Sequence, residues 1–413
     1  MVITVRKKDR IIGAVDVGTT KICALIARAL ADGGLEIIST GYAITAGLKK
    51  GIVVDIEGAA ASIRRAREEA EMRSGVSMDW VAVGISGDHI EGFNCHGAIP
   101  IEGKNREVTT EDVEQVIAAA QSIPTRPDRE VIHVLTQEFL IDNRGGIQNP
   151  VGLTGSRLDV NIHVVTCDGS LLQNVINAVN RADLRVSKVM LQHLASAESV
   201  LTADEKDLGV AVVDIGGGIT DISLFAHSAI RFTSFLPIGG THFTRDLAIG
   251  LRIPLEEAER IKKESGSVLV DEVGSDDVVE AVGVGADERR TYPRLSVCRY
   301  LKERAVELME LVKDRLANAG ESELPIAGVV LTGGGSALDG MVELAEEILE
   351  MPVRQGLPYG ALGLTEDLSH PVYATAIGLA KLGFTQAFDR KNFPGKRNSP
   401  SWIINRFLSW VGN

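Results

Sequence analysis

Twice in this sequence an apolar strand runs into an aspartate and then a glycine turn, and this repeat limits the possible folds more than any other feature. The first instance is Ile11-Ile12-Gly13-Ala14-Val15-Asp16-Val17-Gly18-Thr19-Thr20-Lys21. The second is Val210-Ala211-Val212-Val213-Asp214-Ile215-Gly216-Gly217-Gly218-Ile219-Thr220-Asp221. A third glycine cluster follows, Val329-Val330-Leu331-Thr332-Gly333-Gly334-Gly335-Ser336. Apolar, β-branched runs bounded by glycine predict buried strands, and a strand closing in Asp then Gly turns back through a tight hairpin.

Such turns suit a phosphate. Glycine lets backbone N–H groups converge on an anion, and the hydroxyls of Thr19, Thr20 and Thr220 add donors. Lys21 contributes a point charge for a phosphate oxygen. Asp16 and Asp214, facing each other across a cleft, would hold a hydrated Mg²⁺, which prefers carboxylates and retained waters. One Asp-x-Gly turn alone is most often a plain hairpin. Three glycine turns in this order, each after a strand, point to a nucleotide cleft.

A chain of 413 residues, 45% hydrophobic, predicts two or more domains with sizeable cores. Cys23, Cys95, Cys167 and Cys298 are far apart with no Cys-x-x-Cys, which predicts buried free thiols, and the histidines form no ligand pattern. The charged start and the interruption at Asp16 fit no signal peptide, and no run is long enough to span a bilayer, so a cytoplasmic protein is expected. A net charge of −13 argues against nucleic acid as a partner. The charge is uneven, because residues 387–413 carry Arg390, Lys391, Lys396, Arg397 and Arg406 against Asp389 alone.

The expected organisation is α/β, with two similar halves around a cleft. The first half comprises 10–85, 163–207 and 366–385, interrupted by an inserted subdomain at 86–162. The second comprises 208–240 and 326–365, with a further subdomain at 241–325. Helices are predicted over Asp55–Arg73, from Thr109 with Asp112 as a capping box, over Gln173–Ala182, from about Ser296 to Ala319, and over Tyr373–Leu382. Within the insertion, strands are expected at Val131–Ile141 and Asp159–Thr166 around the loop Gly145–Ser156.

At these residues the chain resembles the actin-like ATPase superfamily, and within it the FtsA family of bacterial cell-division proteins. The specific pieces are Asp16 to Lys21, Asn149-Pro150-Val151-Gly152-Leu153-Thr154-Gly155, Leu208-Gly209-Val210 before the second loop, and Leu331-Thr332-Gly333-Gly334. The resemblance covers the whole chain and implies two ribonuclease-H-like domains enclosing ATP and Mg²⁺. It implies that Gly18, Gly216, Gly217, Gly218, Gly239, Gly240, Gly333, Gly334, Gly335 and Ser336 line the nucleotide, with Glu259 and Lys262 on the adenosine side. Two departures stand out. Ile219 takes a place usually held by Thr, with the hydroxyl moved to Thr220. The stretch that positions the attacking water offers only Gln192 or His193. Slow turnover is therefore expected, because phosphoryl transfer depends on an in-line nucleophile.

The resemblance also implies that the tail of the tubulin-like protein FtsZ docks on 241–325, where Lys302, Arg304 and Glu307 share a helix and the arginine can clasp a carboxylate. It implies self-association into filaments and contacts with other division proteins through the insertion. After a flexible basic linker at 386–399, Pro400 can open a helix over 400–413. Ile403, Ile404, Phe407, Leu408, Trp410 and Val411 share one arc, Trp402 sits at its boundary and Arg406 lies opposite, the pattern of an interfacial helix drawn to anionic lipid. Competing classes are a metabolite kinase, for which no general-base Asp with an acceptor pocket stands out, a chaperone, which needs a peptide-binding domain after the ATPase, and the actin-like component of a type IV pilus platform.

Overall fold

The computed structural model describes residues 10–30, 34–103, 105–122, 126–285, 289–319, 325 and 327–392. The candidate membrane helix at 400–413 and the later part of the expected linker lie outside these residues. Five strands form the first sheet: β1 (Arg10–Val17), β2 (Lys21–Ala29), β3 (Leu35–Ile44), β6 (Trp80–Ile85) and β11 (Arg185–Leu191), after a small hairpin of β4 (Leu48–Lys49) and β5 (Ile52–Val53). Their order is β11-β6-β1-β2-β3. β1 to β3 form an antiparallel meander, while β6 and β11 add in parallel.

The second sheet repeats this plan. β12 (Val210–Ile215), β13 (Thr220–Ala226), β14 (Ala229–Leu236), β17 (Val329–Thr332) and β18 (Val353–Gln355) lie in the order β14-β13-β12-β17-β18. Again three strands meander and two add in parallel. The two halves thus share one plan, as the repeated Asp-Gly turn predicts and as the two paired domains implied by the resemblance require.

Helices cover both faces of the first sheet because its strands are apolar on both sides. α1 (Ile56–Ser74) is capped by Asp55, whose side chain accepts from Glu57 N at 3.1 Å, and ends at Gly75 with φ 69°. Its Ala59, Ile63, Ala66 and Ala70 pack with α3 (Gly169–Arg181) on one face. On the other face lie α4 (Gln192–Val200) and α10 (Ala374–Asn392), which cross between the halves. Gly378 makes that crossing possible, since a Cβ there would overlap the carbonyl oxygen of Ala195. α5 (Ala203–Leu208) then leads into β12.

The insertion is a four-stranded antiparallel sheet, β7 (Ile90–Pro100), β8 (Arg129–Ile141), β9 (Arg144–Ile147) and β10 (Arg157–Asp168), in the order β7-β10-β8-β9. α2 (Thr110–Gln121) covers one face, and the Thr109–Asp112 capping box forms as expected. The strand β7 is not among the expectations, because its His96 and Gly97 interrupt the apolar alternation. In the second half, α6 (Gly240–Leu251), α7 (Leu255–Ser265), α8 (Arg294–Ala317) and α9 (Met341–Leu349) share one core with the sheet. The hairpin of β15 (Val278–Val282) and β16 (Arg289–Pro293) is an addition to the expected helices.

Two expected boundaries move. The insertion's last strand, β10, runs to Asp168, past the expected end of the insertion at 162. α10 runs through Gly383 to Asn392, so the beginning of the segment expected as a flexible linker is helical. The four cysteines are free and buried, as their spacing predicts. No helix among the described residues is long and apolar enough to cross a membrane.

Replacing Gly378 by Ala is expected to cost at least about 2 kcal/mol, because a backbone carbonyl blocks the new methyl group and two packed helices must separate. Urea denaturation of the variant measures this. A loss below about 0.5 kcal/mol would show that the crossing yields easily.

Candidate functional site

Both Asp-Gly hairpins end at the same place. In the first, Asp16 pairs with Cys23 and the turn Gly18-Thr19-Thr20 joins Val17 to Lys21. In the second, Asp214 pairs with Asp221 and the turn Gly216-Gly217-Gly218-Ile219 joins Ile215 to Thr220. The turns touch across the halves. A Cβ on Gly218 would lie 2.8 Å from Thr19 Cγ2, and one on Gly217 would strike the hydroxyl of Thr20. These glycines are therefore required by the approach of one hairpin to the other, as well as by any anion between them.

The floor of this junction is acidic. Asp214 is 7% and Asp221 5% exposed, while Asp16 is half-buried. Burial, opposed by Lys21 and reinforced by Asp214 and Asp221, pushes the carboxyl of Asp16 up to about 7. Burial and the neighbouring Asp221 push Asp214 up to about 6. Such a cluster is strained when ionised unless a cation shares it. Among the described residues no three His, Cys, Asp or Glu side chains converge as a ready cation cage. A magnesium ion would thus rest mainly on waters and phosphate oxygens, its usual coordination, with these carboxylates beside it.

Side chains from the first half and its crossing helices hold the floor. Gln192 Nε2, at the start of α4, donates to Asp16 Oδ1 at 2.9 Å and to Val17 O at 3.2 Å. Thr375 Oγ1, at the start of α10, donates to Asp214 Oδ2 at 3.3 Å. Ser86 Oγ, just after β6, donates to Asp221 Oδ1 at 2.5 Å. Gln192 and His193 part company here. His193 is 3% exposed, its Nδ1 lies 3.7 Å from Asp221 Oδ1, and neither ring nitrogen has a hydrogen-bond partner among the described residues. Gln192 belongs to the Asp16 side of the junction and His193 to the Asp221 side.

Other expected ligands are placed differently. Lys21 stacks its ammonium 4.3 Å over the ring of Tyr373. Ile219 is 6% exposed and sits in the core, and Thr220 is fully buried. The expected shift of a phosphate-donating hydroxyl to Thr220 is corrected, because Thr220 Oγ1 donates to Ile238 O at 2.8 Å. Ser336 Oγ likewise donates within its own turn, to Gly333 O at 2.8 Å. Gly333 has φ 79° and a Cβ there would strike Asp214 Oδ1, so the third cluster packs against the second hairpin. The turn Gly334–Ala337 carries Gly334 and Gly335 alongside.

Gly239 and Gly240 tie the start of α6 to the second turn. Gly240 N donates to Gly216 O at 2.9 Å and Thr241 N to Gly217 O at 2.8 Å. Beside them on α7, Lys262 Nζ reaches Gly240 O at 3.0 Å, Thr244 Oγ1 at 2.9 Å and Glu259 Oε2 at 2.6 Å. Thr244 also donates to Glu259. Burial raises the carboxyl of Glu259, but Lys262 and these hydrogen bonds outweigh it and hold it below its usual range. Sequence reasoning missed Ser86, Thr375 and Tyr373. Asp221 stood in the quoted run but was assigned no role.

The candidate partner site lies on α8, away from the junction. Arg304 Nε donates to Asp246 Oδ2 at 2.6 Å and its Nη1 to Glu307. The guanidinium is thus already clasped by carboxylates of its own chain, one from α6 and one a turn along α8. Lys302 is part-exposed on the same helix.

The profile of the family described as "Cell division protein FtsA" matches residues 211–378, and that of the "SHS2 domain inserted in FTSA" matches residues 87–166. The chain is 43% identical over 411 residues to the cell division protein FtsA of Pseudomonas aeruginosa, covering 98% of each. It is 36% identical to that of Escherichia coli strain K12, covering 98% of this chain and 99% of the relative. Among solved structures it is similar to a PilM–PilN type IV pilus biogenesis complex, with TM-score 0.65, 18% identity and coverage of 90% of this chain and 98% of that one. It is also similar to MreB5 of Spiroplasma citri bound to ADP, with TM-score 0.56, 12% identity and coverage of 94% and 99%. At those identities the likeness concerns the fold.

The raised carboxyls give stability a pH dependence. With folded values near 7 and 6 against an ordinary 3.8, the folded state binds more protons than the unfolded one between about pH 4 and 7. The contribution of these groups is present at low pH and is lost as pH rises through their folded values. Asp16→Asn is expected to stabilise the cation-free protein by on the order of 2 kcal/mol at pH 8, with little change near pH 4.5. Urea denaturation at both pH values tests this, and equal effects at the two would contradict it.

Proposed function

The chain belongs to the FtsA family of cell-division proteins, and from that premise we propose that it is an ATP-binding, actin-like scaffold that polymerises on the cytoplasmic face of the inner membrane and anchors FtsZ there, at midcell. The observation that carries the nucleotide part is the meeting of two glycine hairpins over three clustered carboxylates, Asp16, Asp214 and Asp221. Phosphates would enter where the touching turns part, held by backbone donors at Gly18, Thr19, Thr20, Gly216, Gly217 and Gly218. Glu259 and Lys262, tied to Gly240 beside the second turn, would contact ribose or base. Magnesium, when bound with ATP, would neutralise phosphate charge, and Asp16 and Asp214 would orient its waters.

Weak hydrolysis follows from the placement of the two candidate catalytic residues. Gln192 is bonded to Asp16 and Val17, and His193 is buried against Asp221. Each would have to leave these surroundings to orient a water, so ATP would serve chiefly as a switch. Lys21 would have to leave the Tyr373 ring to reach a phosphate oxygen. A pilus-platform role rests on a likeness at 18% identity, against 43% identity over nearly the whole chain for the division protein.

The membrane role rests on the sequence at 400–413. So short an amphipathic helix holds one molecule weakly, whereas a filament presents many copies and binds through avidity. FtsZ docking rests on α6 and α8, where the tail's carboxylates would compete with Asp246 and Glu307 for Arg304, beside Lys302. Further division proteins would bind the insertion.

Liposome co-sedimentation with ATP tests the anchor. The intact chain is expected to pellet with anionic vesicles, while a chain ending at Ser399 and the Trp410→Glu variant stay in the supernatant; equal pelleting by all three would remove the anchor. Asp214→Asn is expected to weaken Mg-dependent ATP binding at least about tenfold by calorimetry, a loss of roughly 1.4 kcal/mol. Unchanged affinity would take the nucleotide away from this junction.

A further inference from the structure

We propose that the inserted subdomain is strapped to the second half of the molecule, so that displacement of the second phosphate turn is carried along β14 into the inserted sheet, and a ligand on that sheet acts back on the nucleotide. This rests on the nucleotide reading above. By covalent connection the insertion belongs to the first half, which it leaves after Ser86 and rejoins at Gly169. Arg129 pins the two crossings together. Its Nη2 donates to His89 O at 3.1 Å and Thr166 O at 3.0 Å, and its Nε to Thr166 Oγ1 at 2.9 Å, with the side chain only 7% exposed.

Yet the insertion's sheet docks on the other half, with β7, β8 and β10 all meeting β14. Asn94 Nδ2 donates to Arg231 O at 3.1 Å, and Gln137 Nε2 donates to Ile230 O at 2.8 Å and Asn94 Oδ1 at 3.0 Å. His163 sits at the centre, with Nδ1 2.7 Å from Asn94 Oδ1 and Nε2 3.0 Å from Thr233 Oγ1. Burial first, and then the nearby His193, push this imidazole down to about 4, so it is neutral. Asn94 Oδ1 can only accept, which places the proton on Nδ1 and makes Thr233 the donor to Nε2. Gly92 allows the close approach, since a Cβ there would strike the Thr233 hydroxyl and lie 2.6 Å from His163 Nε2. Leu135 of β8 adds an apolar contact in the cluster that contains Phe225 and Ile230.

The far end of β14 is fixed to the phosphate turn. Beyond Leu236, Ile238 O accepts from Thr220, and Gly240 and Thr241 donate to Gly216 O and Gly217 O. One strand thus links the turn to the insertion. If the halves rotate about the cleft, the joint must either break, costing His163 its Thr233 partner and Gln137 its bond to Ile230 O, or carry the insertion along. Coupling of this kind is reciprocal in binding free energy.

Hydrogen–deuterium exchange on the full chain, with and without Mg·ATP, tests the strap. ATP is expected to slow exchange at 216–218 and 239–241, and to change exchange in β7, β8 and β10 by about fivefold or more. In Thr233→Val, which keeps the shape and loses the donor, and in Gly92→Ala, which wedges the joint, the turns remain protected and the response in the insertion is lost. Should Gly92→Ala fail to fold, Thr233→Val carries the test. Protection of the turns without any response in the insertion of the parent protein overturns the strap alone, as does an undiminished response in the variants. Absence of protection at the turns in the parent protein overturns both the strap and the nucleotide reading.

Discussion

The crowding of three carboxylates beneath two touching glycine turns is the constraint on which the structure depends. Asp214 and Asp221 are cross-strand partners on adjacent strands, and Asp16 arrives from the other half. Like charges directly opposite in a sheet are unfavourable, and burial makes them more so. The chain answers with hydrogen-bond donors from the first half and its crossing helices: Gln192 on α4 for Asp16, Thr375 on α10 for Asp214 and Ser86 after β6 for Asp221. The crossing helices therefore orient the acidic floor as well as join the halves. Their own close packing at Ala195 and Gly378 keeps those donors in register.

Two identical sheet orders facing each other supply the frame, and the additions to that frame set the chain apart within it. The insertion leaves the first sheet after β6 and leans on the edge strand of the second. The subdomain of α6 to α8 extends the core of the second sheet and presents Arg304 with its two carboxylate partners. A switch at the floor is thus flanked by two appendages, each reached through an element tied to the second phosphate turn: β14 toward the insertion, α6 toward Arg304.

Much of this was legible in the sequence, and the reasons for the exceptions are physical. Strong local signals survived folding: the glycine turns, the helix beginning at Asp55 and the Thr109–Asp112 box all appear where the residues place them. Interrupted signals did not. β7 alternates imperfectly because one of its faces is polar and bonds to β14. The last helix, expected to end at Leu382, continues, and at Gly383 it packs close to Ile12 Cγ2. Side-chain destinations were the least legible. Nothing local directs Lys21 to the Tyr373 ring or the Thr220 hydroxyl to Ile238, because both partners come from elsewhere in the chain.

The most direct test of the shared acidic floor is a crystal structure of the full chain grown with Mn²⁺ and a non-hydrolysable ATP analogue, read by anomalous scattering. The expected result is one manganese peak between the carboxylates of Asp16 and Asp214, with the triphosphate lying between the turns at Gly18 and Gly216. A nucleotide bound elsewhere, or a metal held by neither aspartate, would contradict the account.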